Sequence, residues 1–218
     1  MSQDEALEAD LIRRATAGDE AALAALFERY RGRLRQMVRL RLDPRLQGRV
    51  DPSDVIQDAY LDLSRKLREL AVRPDLPFFL WLLLVVGERL LRVHRHHLGA
   101  SMRDVGREIS LHRGALPGAS STSLAAQLLG RVTTASRIAA RAEMQRLLQD
   151  AINTMDPIDR EVIALRHFEE LSNEEAALVL GLTKAAASKR YVRAMLRLKA
   201  VLDGIPGVSD PTRDGLRE

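Results

Sequence analysis

The chain of 218 residues contains no cysteine. A disulfide framework, a Cys-ligated zinc and a cysteine nucleophile are therefore excluded, and a cytoplasmic home is compatible with that absence. Aromatic residues are scarce, with four Phe, three Tyr and one Trp. None lies between Trp81 and Phe168, which argues against a packed aromatic core across that interval. Lysine is nearly missing: of 34 basic side chains, 30 are Arg and 4 are Lys. The strongest apolar run, FFLWLLLVV from Phe78 to Val86, breaks at Gly87-Glu88-Arg89. That is well short of the ~20 residues a spanning helix needs. A helix buried in a protein core is expected there, without membrane insertion. The amino-terminal MSQDEALEAD is acidic and lacks the basic-then-apolar order of a signal peptide, so no targeting segment is expected. P-loop, dinucleotide-binding glycine turn, HExxH and GxSxG motifs are all missing. An enzyme is the least supported class, and no cofactor or metal is called for.

What is present is a chain 46% hydrophobic and 29% charged, which excludes wholesale disorder. The formal net charge is only +4, so the placement of charge matters more than its sum. Helical periodicity dominates and strand alternation is nearly absent, predicting an all-α fold. Ser2 with Glu5 reads as a capping box, and Asp19 as the cap of a second helix carrying Leu23, Leu26, Phe27, Tyr30 and Leu34. Asp51 and Pro52 open a third helix reaching about Leu70, and a fourth begins near Pro77. Periodicity fails over residues 99–136, apart from a short possible helix at 121–129, as in a flexible linker. It returns near Ser136. Asp156-Pro157 restarts the chain, and Ser172 with Glu175 forms another capping box. Two small helical domains are expected, at 1–98 and 137–203, with a disordered tail at 204–218.

Residues 172–200 have helix-turn-helix anatomy: a short capped helix, a turn beginning at Gly181, then a longer basic helix. That helix carries Lys184, Lys189, Arg190, Arg193, Arg197 and Lys199, with no acidic residue before Asp203. One sign over such a length points to a polyanion, although a solvated basic face is the plainer alternative. In the first domain Asp54, Asp58 and Asp62 repeat at i, i+4 and i+8, an acidic stripe that could simply be solvated. Arg89, Arg92, His94, Arg95, His96 and His97 make the end of the fourth helix basic. His94 and His97 stand one turn apart, but no local carboxylate or cysteine completes a metal set. Trp81 and Phe79 read as core. On the residues alone, a conventional helix-turn-helix regulator that binds DNA without polymerase and a protein-binding helical adaptor both remain open.

LSNEEAALVLGLTKAAASKRYVRAMLRL resembles region 4 of sigma-70-type factors of RNA polymerase, in the extracytoplasmic-function (ECF) subgroup. DPSDVIQDAYLDL resembles the region 2 stretch by which that family grips the polymerase, and FFLWLLLVVGERLLRVHRHH the Trp-Leu helix after it. The family's usual Ile-Ala, Asn and Asp after Trp-Leu are here Val85-Val86, Glu88 and Arg92, and its Thr-Val is Ala186-Ala187. The resemblance implies a factor that binds core RNA polymerase and promoter DNA, with an anti-sigma factor as a further possible partner. It implies that Asp54, Gln57 and Asp58 contact the polymerase. Lys184, Ala185, Ser188 and Lys189 would reach base edges of the upstream promoter element, while Arg190, Arg193 and Arg197 hold phosphates. Arg89, Arg92 and Arg95 would capture the downstream element.

Overall fold

Local chemistry opens most helices and burial of one face completes them. The structure, a computed structural model, describes residues 3–71, 76–99, 108–111, 114–132 and 138–204. The Ser2 half of the first capping box, the start near Ser136 and residues 205–218 of the tail lie outside the described residues. Two compact units form, the first Met1–Gly118 with Leu178–Gly181 and the second Ala119–Ala177 with Leu182–Glu218.

In the first unit, α1 (Gln3–Thr16) ends at Gly18, whose φ of +97° suits a residue without a Cβ. Asp19 then accepts the Ala22 N–H at 3.1 Å and starts α2 (Glu20–Arg41). The same carboxylate takes Arg14 at 2.7 Å, so one side chain staples the corner between the helices. α2 buries Leu23, Leu26, Phe27, Tyr30, Leu34, Met37 and Val38, the 3–4 spacing of a core-facing stripe. Asp51 accepts the Ser53 N–H at 2.7 Å, and α3 (Pro52–Ala71) follows, burying Val55, Ile56, Ala59, Leu63 and Leu67.

α4 (Phe78–Leu98) is buried on all sides from Phe78 to Gly87. A helix apolar all round is enclosed by its neighbours, here α2 and α3. Trp81 and Phe79 are core, each 3% exposed. Phe79 meets Tyr30 at 5.1 Å and carries the Arg33 guanidinium 3.7 Å from its ring centre. Past Leu91 the burial narrows. His94 stays inside and its Nε2 accepts the Asp43 N–H at 3.2 Å, while Arg92, Arg95, His96 and His97 are exposed.

The interval 99–136 holds more structure than periodicity suggests. Strands β1 (Glu108–Leu111) and β2 (Gly114–Pro117) pair antiparallel, with Ile109 opposite Leu116 and Ser110 opposite Ala115. Four-residue strands are too short to display alternation in a sequence. They are held by tertiary contact instead: β2 lies against α4, Leu116 is fully buried, and the Arg41 guanidinium donates to the Pro117 carbonyl at 2.6 Å.

In the second unit, α5 (Ser121–Val132) runs three residues beyond the expected short helix. It buries Leu124, Ala125, Leu128 and Leu129 and packs on α6 (Ile138–Asn153), which buries Met144, Leu148 and Ile152. Asp156 accepts the Ile158 N–H at 2.8 Å and opens α7 (Pro157–Ile163). A π-helical turn at Ala164–Phe168 follows, then α8 (Asn173–Leu180) and α9 (Lys184–Asp203). α9 packs on α7 and α6. The fold is all-α in class. Among the described residues no helix is long and apolar enough to cross a membrane.

Candidate DNA and polymerase interfaces

The helix-turn-helix is built from reciprocal caps. Ser172 N–H donates to Glu175 Oε2 at 2.7 Å, and Glu175 N–H donates to Ser172 Oγ at 3.2 Å. Gly181 then takes φ +63° and the chain turns, with Leu182 N–H reaching the Ala177 carbonyl at 2.9 Å. Thr183 Oγ1 accepts the Ala186 N–H at 3.2 Å, which makes it the cap of α9. Asn173 joins three elements. Its Nδ2 donates to the Lys184 carbonyl at 2.8 Å and its Oδ1 accepts from Arg166 at 2.9 Å. The Arg166 guanidinium in turn lies 4.9 Å from the centre of the Tyr191 ring.

α9 buries Ala187, Ala194 and Leu198, so its opposite face is free of the core. Lys184, Ala185, Ser188, Lys189, Arg193 and Arg197 are all exposed. Lys184 pairs at 2.6 Å with Glu174, itself largely exposed. Arg190 is placed differently from its neighbours. It is half-buried and donates at 2.8 Å to Asp159 on α7, with Asp156 3.7 Å away. The hydrogen bond to Asp159 raises the Arg190 pKa above the ordinary guanidinium value. Arg193 also reaches Asp159, at 3.5 Å, but stays largely exposed. Two apolar side chains share the outward face of α9: Val192 is 54% exposed and Leu196 63%.

In the first unit the structure brings the acidic stripe and the basic helix end together. Asp58 on α3 pairs with Arg89 on α4. Asp62 pairs with Arg92 and lies 3.9 Å from Arg89. Lys66 and Glu88 form a further rung. Asp54 and Gln57 remain exposed, and Leu61 between them and the end of the helix is 56% exposed. Arg95, His96 and His97 lie on the exposed end of α4. Of the two histidines one turn apart, His94 is buried and accepts a backbone hydrogen bond. Among the described residues no cluster suits a metal ion.

Sequence reasoning overlooked Asp159, Asn173 and Thr183. Thr183 had a local signal, a hydroxyl residue just before a helix. Asp159 and Asn173 had none, because their partners lie 31 and 11 residues away.

A capped helix-turn-helix with a cationic, outward second helix, joined to a second helical unit, defines a DNA-binding transcription protein. Comparison with known proteins sharpens the class. The family profile "Sigma-70, region 4" matches residues 145–198. RNA polymerase sigma factor CnrH of Cupriavidus metallidurans is 30% identical over 198 residues, covering 88% of this chain and 93% of the relative. RNA polymerase sigma factor NccH of Alcaligenes xylosoxydans xylosoxydans is 29% identical over 201 residues, covering 91% and 96%. The solved structure of CnrH in complex with the cytosolic domain of CnrY superposes with a TM-score of 0.55 at 25% identity, covering 91% of this chain and 98% of that one. The chain belongs to the sigma-70 family of RNA polymerase sigma factors, in its ECF subgroup.

Proposed function

We propose that this sigma factor grips core RNA polymerase through the exposed edge of α3 and addresses promoter DNA through one surface on each unit. Residues 1–98 act as the region 2-like domain and 137–203 as the region 4-like domain, with 99–136 joining them. Asp54, Gln57 and Asp58 form the polymerase contact, and Leu61 adds an exposed apolar side chain beside them. The cytoplasm, where the polymerase works, is the site of action. A regulator comparable to the cytosolic CnrY domain that accompanies CnrH is a fitting partner.

The observation that carries this reading is the outward face of α9. Lys184, Ala185, Ser188 and Lys189 lie in its first turns, the part of a recognition helix that reaches base edges in the major groove. Arg193 and Arg197 follow one turn and two turns later, suited to phosphates on either side. On α4, Arg95 is exposed at the helix end, whereas Arg89 and Arg92 share their charge with Asp58 and Asp62. Arg95 therefore leads in holding the downstream element, and Arg89 and Arg92 support it.

Footprinting of reconstituted holoenzyme on a cognate promoter tests the reading. Protection of two separated patches, upstream and downstream, is expected. Truncation after residue 118, where the first unit's amino-terminal part ends, should remove the upstream patch alone. Protection by the free chain equal to that by holoenzyme would instead make it a regulator that needs no polymerase.

A further inference from the structure

We propose that Asp159 is a positioning residue for promoter recognition. Its buried carboxylate sets the roll of α9 on α7 through Arg190, and Arg190 serves that seat rather than a phosphate. The proposal rests on the reading of α9 as the promoter-reading helix.

The contact between α7 and α9 explains why a seat is needed. Ala187 and Ala194, each 1% exposed, form the inner face of α9 together with Leu198. Alanine lets helices approach closely, but it offers no knob to fix rotation or register. A polar pair supplies what the alanines lack, because a buried charge tolerates only the geometry that keeps it paired. The Asp159 side chain is 3% exposed, so leaving it unpaired is strongly unfavourable. Both of its cationic neighbours, Arg190 at 2.8 Å and Arg193 at 3.5 Å, come from α9.

Arg190 is the better placed of the two for this task. Its side chain is 26% exposed against 60% for Arg193. Its NH1 faces two carboxylates of α7 and its cap, Asp159 and Asp156, which already neutralise much of the charge a phosphate would meet. Arg193 keeps enough exposure to serve DNA. At the other end of the reading segment, Asn173 holds the Lys184 carbonyl. The two polar stitches, Asn173 to Lys184 and Asp159 to Arg190, thus bracket Lys184, Ala185, Ser188 and Lys189, the side chains assigned to base edges.

The test compares full-length Asp159→Asn and Arg190→Gln with the wild-type chain. Each is reconstituted with core polymerase and bound to a promoter duplex and to the same duplex with its upstream element scrambled. Affinity is measured across a salt series. Both variants should lose about tenfold in promoter over scrambled preference, the scale of one lost base contact. The slope of log affinity against log salt should stay unchanged, since no phosphate contact has gone. If Arg190 were instead a phosphate ligand muted by Asp159, Asp159→Asn would bind as tightly as wild type or more tightly. Arg190→Gln would then lower the slope by about 0.9 with preference intact. Either result overturns the assignment. Should Asp159→Asn not fold by circular dichroism, Arg190→Gln decides alone through its slope and preference. A wild-type holoenzyme that itself shows no promoter preference would overturn the reading of α9 and the Asp159 assignment with it, an outcome distinct from variants that match a discriminating wild type.

Discussion

Neutralising Asp62 should weaken the first unit while freeing one of its cations. Asp62 serves two arginines of α4, and its side chain is 14% exposed, against 28% for Arg89 and 44% for Arg92. Exposed ion pairs contribute about 0.2–1 kcal/mol each, and loss of one partner from a well-buried pair is several times worse. The Arg92 arm belongs to the first range. The Arg89 arm is longer, at 3.9 Å, and Arg89 keeps Asp58 as its nearer counterion. Together the two arms place the effect of Asp62→Asn at about 1 kcal/mol. For a unit of this size that corresponds to a fall of roughly 3–6 °C in its melting temperature. Differential scanning calorimetry of the full chain reads it directly. Arg92, released from its counterion, should at the same time raise holoenzyme affinity for a forked downstream-element probe at low salt. A melting temperature unchanged within about 1 °C would refute the reasoning, because it would mean that the rungs between α3 and α4 carry no net energy.

Other outcomes follow from the same geometry. Gly181→Ala should destabilise the helix-turn-helix by about 1 kcal/mol, purely through backbone strain, because a Cβ there meets nothing within 4 Å; Gly181→Asn should lose less by chemical denaturation. Arg197→Ala should lower the salt slope of promoter binding by about 0.9 with helicity intact. Asp19 is held below the ordinary carboxylate value, first by the Ala22 N–H and then by Arg14. A carboxylate depressed in the folded state contributes stability that is present above its unfolded value, about 3.9, and lost as pH falls through the folded one. Wild type should therefore lose part of its advantage over Asp19→Asn as a melting series moves below about pH 4.

The caps were legible because they are local. Asp19, Asp51, Asp156 and the Ser172–Glu175 box each announce a helix start within three residues of their partner. Gly181 was legible for the same reason. The apolar stripes of α2 and α4 predicted their own burial. The pairing of Arg190 with Asp159 and of Asp58 with Arg89 was not legible, since each joins residues 31 positions apart that only the tertiary fold brings together. For this reason an acidic stripe and a basic helix end, separate in the sequence, are counterions in the structure. It also guides mutagenesis of the proposed polymerase contact. Asp58→Arg would set two cations together at Arg89, whereas Asp54→Arg alters an exposed first-turn carboxylate and leaves the rungs intact.

Initiation itself is the most direct measure of the central claim. The purified chain, added to core RNA polymerase on templates with and without a cognate promoter, should yield run-off transcripts of one defined start from the promoter template alone. Asp54→Arg should suppress that transcript and fail to co-purify with core. Binding of the chain to promoter DNA with no transcript from core polymerase, under conditions where another sigma factor restores initiation, would contradict the account.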